Sequence, residues 1–331
     1  MTRLILTFDD SAAGALLDLA DCVIPVGRRF TSGKLPSPGE LDLLLSRRSA
    51  RGEGAPECWV DHLPARLEDV KRDGPALAEF CERFEAIELW VDAAPNAQLQ
   101  LIWLLDHIRH HAKVASRLSL IQTDTAIGDI LPNELTDWRQ RAVPVGNGHF
   151  KIASAAWAAW QSATPQAWFG LLTNDTSALP GLHAAVVSLL EELPALRTGL
   201  GVTALRLLEL ISAGHVHPWD LFPGHEKPNT RRVLGYWEIG ELLDGLTHGP
   251  APAVTGLDER PFDPAMHHDS KRHQRYARST LALTDLGKAI LAGTDDFSRH
   301  NPVHRWWGGT ELSNDRLWRW DAQNRALIAS S

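Results

Sequence analysis

A chain of 331 residues in which 44% are hydrophobic and 22% charged belongs with folded globular proteins, not with disordered or fibrous ones, and its length suggests about two domains. The net charge of −8 excludes a generic polyanion binder, because non-specific nucleic-acid affinity comes from clustered Lys and Arg that neutralise phosphates. Basic residues do not collect towards either end: residues 1–150 hold 16 basic and 22 acidic side chains, and residues 195–331 hold 16 of each. No apolar run approaches the roughly 18 to 20 residues needed to span a bilayer, and no signal-like leader opens the chain, so a cytoplasmic protein with no membrane partner is expected. Cys22, Cys58 and Cys81 have no close pair spacing, which suggests neither a zinc knuckle nor a disulfide framework.

The first elements alternate. "RLILTF" (Arg3 to Phe8) is a short apolar strand candidate followed at once by a small-residue helix, and "DCVIPV" (Asp21 to Val26) is a second strand after that helix, which together make a βαβ unit. "SPGELDLLLSRR" opens a helix with Ser37 as cap, Pro38 at the first helical position and Glu40 reaching back to the cap amide. "AIELWV" (Ala86 to Val91) and "RLSLIQ" (Arg117 to Gln122) are further buried strands, separated by an amphipathic helix carrying Leu99, Ile102, Trp103 and Ile108. Alternation of this kind gives a mostly parallel sheet covered by helices, a Rossmann-like α/β domain over residues 1–135. A helical connector over 136–194, with "KIASAAWAAW" (Lys151 to Trp160), has few charges and reads as interdomain filling.

Residues 195–331 change pattern. "TGLGVTALRLLELISAG" is an amphipathic helix with Ala204, Leu207, Leu208 and Ile211 on one face and Gly214 closing it. "PWDLF" (Pro218 to Phe222) and "RRVLGYWEIGELLDGLTHG" supply two more helices, and "ARSTLALTDLGKAILAG" a strand and a helix capped by Thr284. Three helices, a loop, a strand and a closing helix give a mainly α domain that resembles a winged helix. Its third helix carries Glu238, Glu241 and Asp244 with Arg231 and Arg232 only at its start, which phosphate would repel. "SKRHQRYARS" (Ser270 to Ser279) is the basic stretch, either a wing on phosphate or a solvated loop. In the tail, "RWWGGTELSNDRLWRWD" (Arg305 to Asp321), Trp306, Trp307, Trp318 and Trp320 must pack on something. A hairpin sealing the domain interface, or a pocket lid with Arg305 or Arg319 facing a ligand, satisfies that need.

Candidate site residues follow from the strand–helix junctions. A helix that starts straight after a parallel strand points free amides at the carboxyl edge of the sheet, where open α/β sheets bind ligands. "DDSAAG" places Asp10 and Ser11 there, as ligand contacts or simply as a helix cap. "LWVDAAPNAQLQL" brings Asp92, Asn96 and Gln98 to the same edge, with Asn96 as an alternative helix cap, and Arg28 in "GRR" adds a cationic donor after the second strand. A serine nucleophile at Ser11 is the acyl-transfer alternative: "FDDSAAG" looks like the "GDS" signature of GDSL-type hydrolases, with Asp9 in place of glycine, but Asp263 and His267 stand one residue too far apart for the partner pair of those enzymes. His107 with His110 or His111 has metal-compatible spacing without a third ligand, and no metal or cofactor is assigned.

Taken in order, "DDSAAGAL", "LW" before "AQLQL", "AW" at Ala156 and Trp157, "LPGL", "LPALRTGLGVTALRLLELISAG", "LTDLGKAILAG" and "WWGGTEL" with "WRWD" resemble the motifs of the bacterial domain-of-unknown-function 1835 family. The chain departs from that pattern at Asp9, where the family tends to have glycine, and at Ala97, where an acidic residue is expected. The resemblance implies the domain order and no activity. The expectation is therefore a protein that binds a small anionic or nucleotide-like ligand through Asp10, Ser11, Arg28, Asp92, Asn96 and Gln98, with a DNA- or protein-binding regulator and a serine hydrolase as the alternatives.

Overall fold

The computed structural model describes residues 2–48, 58–63, 65–222 and 233–329, which fall into two units. Met1–Phe30, Leu35–Ser162 and Gly170–Ala185 form the first; Thr31–Lys34, Ala163–Phe169 and Val186–Ser331 form the second. The 136–194 stretch is thus divided between the two.

In the first unit β1 (Arg3–Thr7), β2 (Cys22–Pro25), β3 (Ala86–Val91) and β4 (Leu118–Gln122) lie in the order β2-β1-β3-β4, all parallel, with β5 (Val143–Pro144) antiparallel at the edge. The strands are near-continuous apolar runs because both faces are covered. Ile5, Val23, Trp90 and Ile121 share one core with Ala12, Ala13, Leu16 and Leu135. Alternation along each strand sends Leu4, Leu6 and Leu89, all fully buried, to the opposite face. Glu88 breaks the apolar run of β3 and is 7% exposed. Its carboxylate is satisfied by Arg139 Nε at 3.1 Å, the Trp90 indole at 3.0 Å and Arg3 at 3.2 Å, as a buried charge requires.

The Pro38–Leu45 helix begins as its sequence implies: Ser37 and Glu40 exchange side-chain and backbone bonds in a capping box. The Ala–Trp helix, Asn147–Trp160, belongs to the first unit and packs on the helix Pro95–Ile108. Trp157 and Trp103 flank the Phe30 ring at 5.0 and 5.2 Å, and the Trp160 indole donates to the Phe30 carbonyl. These tryptophans therefore close a core within the first unit, which corrects their reading as interdomain filling.

The second unit holds helices Val202–Ser212, Pro218–Leu221 and Tyr236–His248, then a two-stranded antiparallel pair of β6 (Val254–Thr255) and β7 (Ala282–Leu283), then the helix Asp285–Leu291 capped by Thr284. Arg231 and Arg232 lie outside the described residues. The basic stretch is a helix, Ser270–Arg278, not a loop. Asp269 accepts the amides of Lys271 and Arg272 at its start, and Arg272 and Arg275, nearly one turn apart, both pair with Glu259. In the tail, β8 (His304–Trp307) and β9 (Thr310–Ser313) form a hairpin, as do β10 (Arg319–Asp321) and β11 (Ala326–Ile328). The rings pack inside the second unit: the Trp307 indole donates to Leu189 at 2.8 Å and Trp320 meets Phe169. No helix among the described residues is long and apolar enough to cross a membrane.

Candidate functional site

The strand order creates one place where neighbouring loops leave in opposite directions. From β1 the chain crosses to β2 on one side, while β3 lies on the other; ligands of open α/β sheets dock outside the carboxyl ends at such a switch point. On the β2 side the strands stay zipped past β1, Val26 donating to the Thr7 carbonyl at 2.7 Å. On the β3 side, the loop into the helix Asp10–Ala15 and the loop after Val91 stand over the ends of adjacent strands.

Asp10 and Ser11 are exposed at this edge, but neither caps the helix. Asp9 does, its carboxylate accepting the Ala12 amide at 2.7 Å. A negative charge thus already sits at the start of that short helix, where an anion had been expected to dock. Ser11 packs against Gly128, in the turn that follows β4, where a Cβ would overlap the Ser11 hydroxyl.

Asp92 directly follows β3 and is 8% exposed. Burial pushes its carboxyl up from 3.8 to about 6; the Ala94 amide, donating to Oδ1 at 2.9 Å, and the Ile127 amide oppose that rise, and the charge of Asp9 adds to it. The loops after β1, β3 and β4 therefore converge: Asp92 lies between Asp9 and Ile127, and Ser11 lies on the adjoining Gly128.

The remaining expected residues hold this edge together from behind. Asn96 is not a cap, since Ala94 occupies that position without a side-chain bond. Instead Asn96 clamps the chain after β2, accepting from the Phe30 amide at 2.9 Å and donating to the Arg28 carbonyl at 2.8 Å. Gln100, one turn on, accepts the Arg28 amide. Arg28 is thus fixed through its backbone, its side chain half-buried beside Trp59 and Trp103. Gln98, 1% exposed, donates to the Asp92 carbonyl at 2.7 Å, while its Oε1, lying against Gly181, has no partner among the described residues.

Sequence reasoning missed Asp9, Gln100 and the Ile127–Gly128 turn. The 96/100 spacing did signal one shared helix face. Nothing local marked the turn, whose role depends on β4 pairing beside β3.

Two groups suited to proton transfer or hydrogen bonding, the raised Asp92 carboxyl and the exposed Ser11 hydroxyl, share this mouth with the carboxylates of Asp9 and Asp10. No hydrogen bond joins Ser11 to a histidine, and no group of three or more His, Cys, Asp or Glu is placed to hold a metal, among the described residues. The His107 and His111 rings do meet, tilted at 42° with centroids 5.0 Å apart, and burial pulls His107 down to about 4. The class of molecule defined so far is a mostly parallel α/β unit with a polar switch-point mouth, joined to a second, mainly helical unit. No protein-family model matches the chain, and no curated protein matches it.

Proposed function

We propose that the first unit binds a small, nucleotide-like ligand at the mouth formed by Asp9, Asp10, Ser11 and Asp92. The observation that carries this reading is the Asp92 carboxyl: buried at the end of β3, raised to about 6, and facing a neighbouring aspartate. Its burial costs the fold stability once the group ionises, and perturbed carboxyls of this kind gather where ligands are handled. Ligand hydroxyls fit the acceptors Asp9 and Asp92. Asn96, Gln98 and Arg28 act by holding the loops in place. Thermal shift against nucleotides and phosphorylated metabolites tests the reading: a rise in melting temperature that Ser11→Ala and Asp92→Asn each diminish is expected, and no rise with any compound counts against it.

A regulator acting through a winged-helix-like second unit is the other reading, supported by three helices followed by paired β6 and β7 and a closing helix, although two further helices, Pro264–His268 and Ser270–Arg278, lie between the two strands. Two of the four cations in Ser270–Arg278 are engaged by Glu259, which leaves little for phosphate and favours protein contact over DNA. Retardation of genomic DNA fragments at low salt is accordingly expected to be absent. The family resemblance adds a domain order to both readings and no chemistry.

A further inference from the structure

The second unit carries an open-sided cavity of about 770 Å³, within the range of roughly 300–1,000 Å³ usual for small-molecule sites. Buried Leu200, Ala204 and Leu246 form its floor, and exposed His248, Arg260 and Pro302 mark its mouth. Several of its polar wall groups are already engaged within the protein. Glu192 accepts from the Thr203 hydroxyl, and Arg305 donates to the Glu192 carbonyl. Asn301 is bonded through both ends of its amide to Ala251, and Asp244 accepts from the Phe262 amide at 2.6 Å. Arg260, by contrast, makes no ion pair among the described residues.

A glycine supplies the second, independent observation. Helix Tyr236–His248 carries two interior glycines, each costing about 1 kcal/mol relative to alanine. Gly240 is explained by the Phe262 ring, which lies where its Cβ would be; at Gly245 a Cβ would meet nothing within 4 Å. Packing does not demand glycine at 245, yet its bare backbone is part of the cavity wall. The stability given up there leaves room in the chamber and serves no contact of the fold.

We infer that this cavity is a binding site for a small monoanionic amphiphile, an apolar chain lying over Gly245, Leu242 and Leu246 with its carboxylate at Arg260. Of the three acids on the wall, Glu192 lies beside the Arg305 cation, Glu241 is engaged by a partner of its own, and Asp244 accepts the Phe262 amide with His248 and Arg260 in its surroundings. Arg260 is the cation at the mouth that no ion pair among the described residues holds. The cavity is lined by residues of the second unit alone, and the inference does not depend on the reading of the first.

Calorimetric titration of the full chain with sodium decanoate, decan-1-ol and decyltrimethylammonium tests this. Decanoate is expected to bind at least about tenfold more tightly than decanol, and the ammonium compound not at all. Arg260→Gln, at an exposed position, should weaken decanoate about tenfold and leave decanol unchanged. Gly245→Phe should abolish both while melting at or above the wild-type temperature. Absence of decanoate binding, equal binding of the cationic compound, or unchanged binding in both variants would overturn the inference.

Discussion

Asp92 is the residue at which stability and function pull apart. Its carboxyl rises from 3.8 to about 6 on folding, so the folded state holds the proton more firmly than the unfolded chain does. Stability therefore falls as pH climbs from about 4 through 6 and is highest, for this group, below that window. Asp92→Asn keeps an acceptor for the Ala94 amide and removes the buried charge. In urea denaturation the variant should exceed wild type by ~1–3 kcal/mol at pH 7.5 and match it at pH 4; the same difference at both pH values would place the origin elsewhere. Asn96 works in the opposite sense. Asn96→Ala strands the Phe30 amide and the Arg28 carbonyl, each a part-buried group, and a loss of ~2–4 kcal/mol is expected from two unmade bonds. A loss under about 0.5 kcal/mol would show that water replaces the clamp.

At the scale of elements, the ion-paired Glu88 in β3 and the Ser37 capping box give contrasting expectations. Glu88→Ala leaves Arg139 without its carboxylate in a half-buried position, and chemical denaturation should register ~3–5 kcal/mol. Ser37→Ala removes an exposed cap and should cost about 1 kcal/mol. Elements were legible in the sequence wherever one physical signal dominated: near-continuous apolar runs for β1 to β4, Ser-Pro-x-Glu for the start of Pro38–Leu45, and Thr284 for the start of Asp285–Leu291. What could not be read was set by distant partners. Ser270–Arg278 looked like a loop because its charges gave no apolar stripe, and Glu259, the residue that neutralises two of them, lies eleven residues before its start. Likewise Asn96 and Gln98 were recognised as polar groups at the sheet edge. That they face inwards to other loops depended on β2 and β3 flanking β1, a strand order that no local pattern encodes.

For the whole molecule, two units carry two places of different chemistry: a cluster of polar loops at the ends of β1, β3 and β4, and a largely apolar cavity in the second unit. The proposed ligand is held by the three loops of the first unit. Amide chemical-shift mapping of the full chain during titration with adenosine monophosphate and ribose 5-phosphate tests it most directly. Saturable shifts are predicted for Ser11, for Asp92 to Ala94 and for Gly128, and they should disappear in Asp92→Asn. Amides that stay still at millimolar compound, or that move only outside these loops, would contradict it.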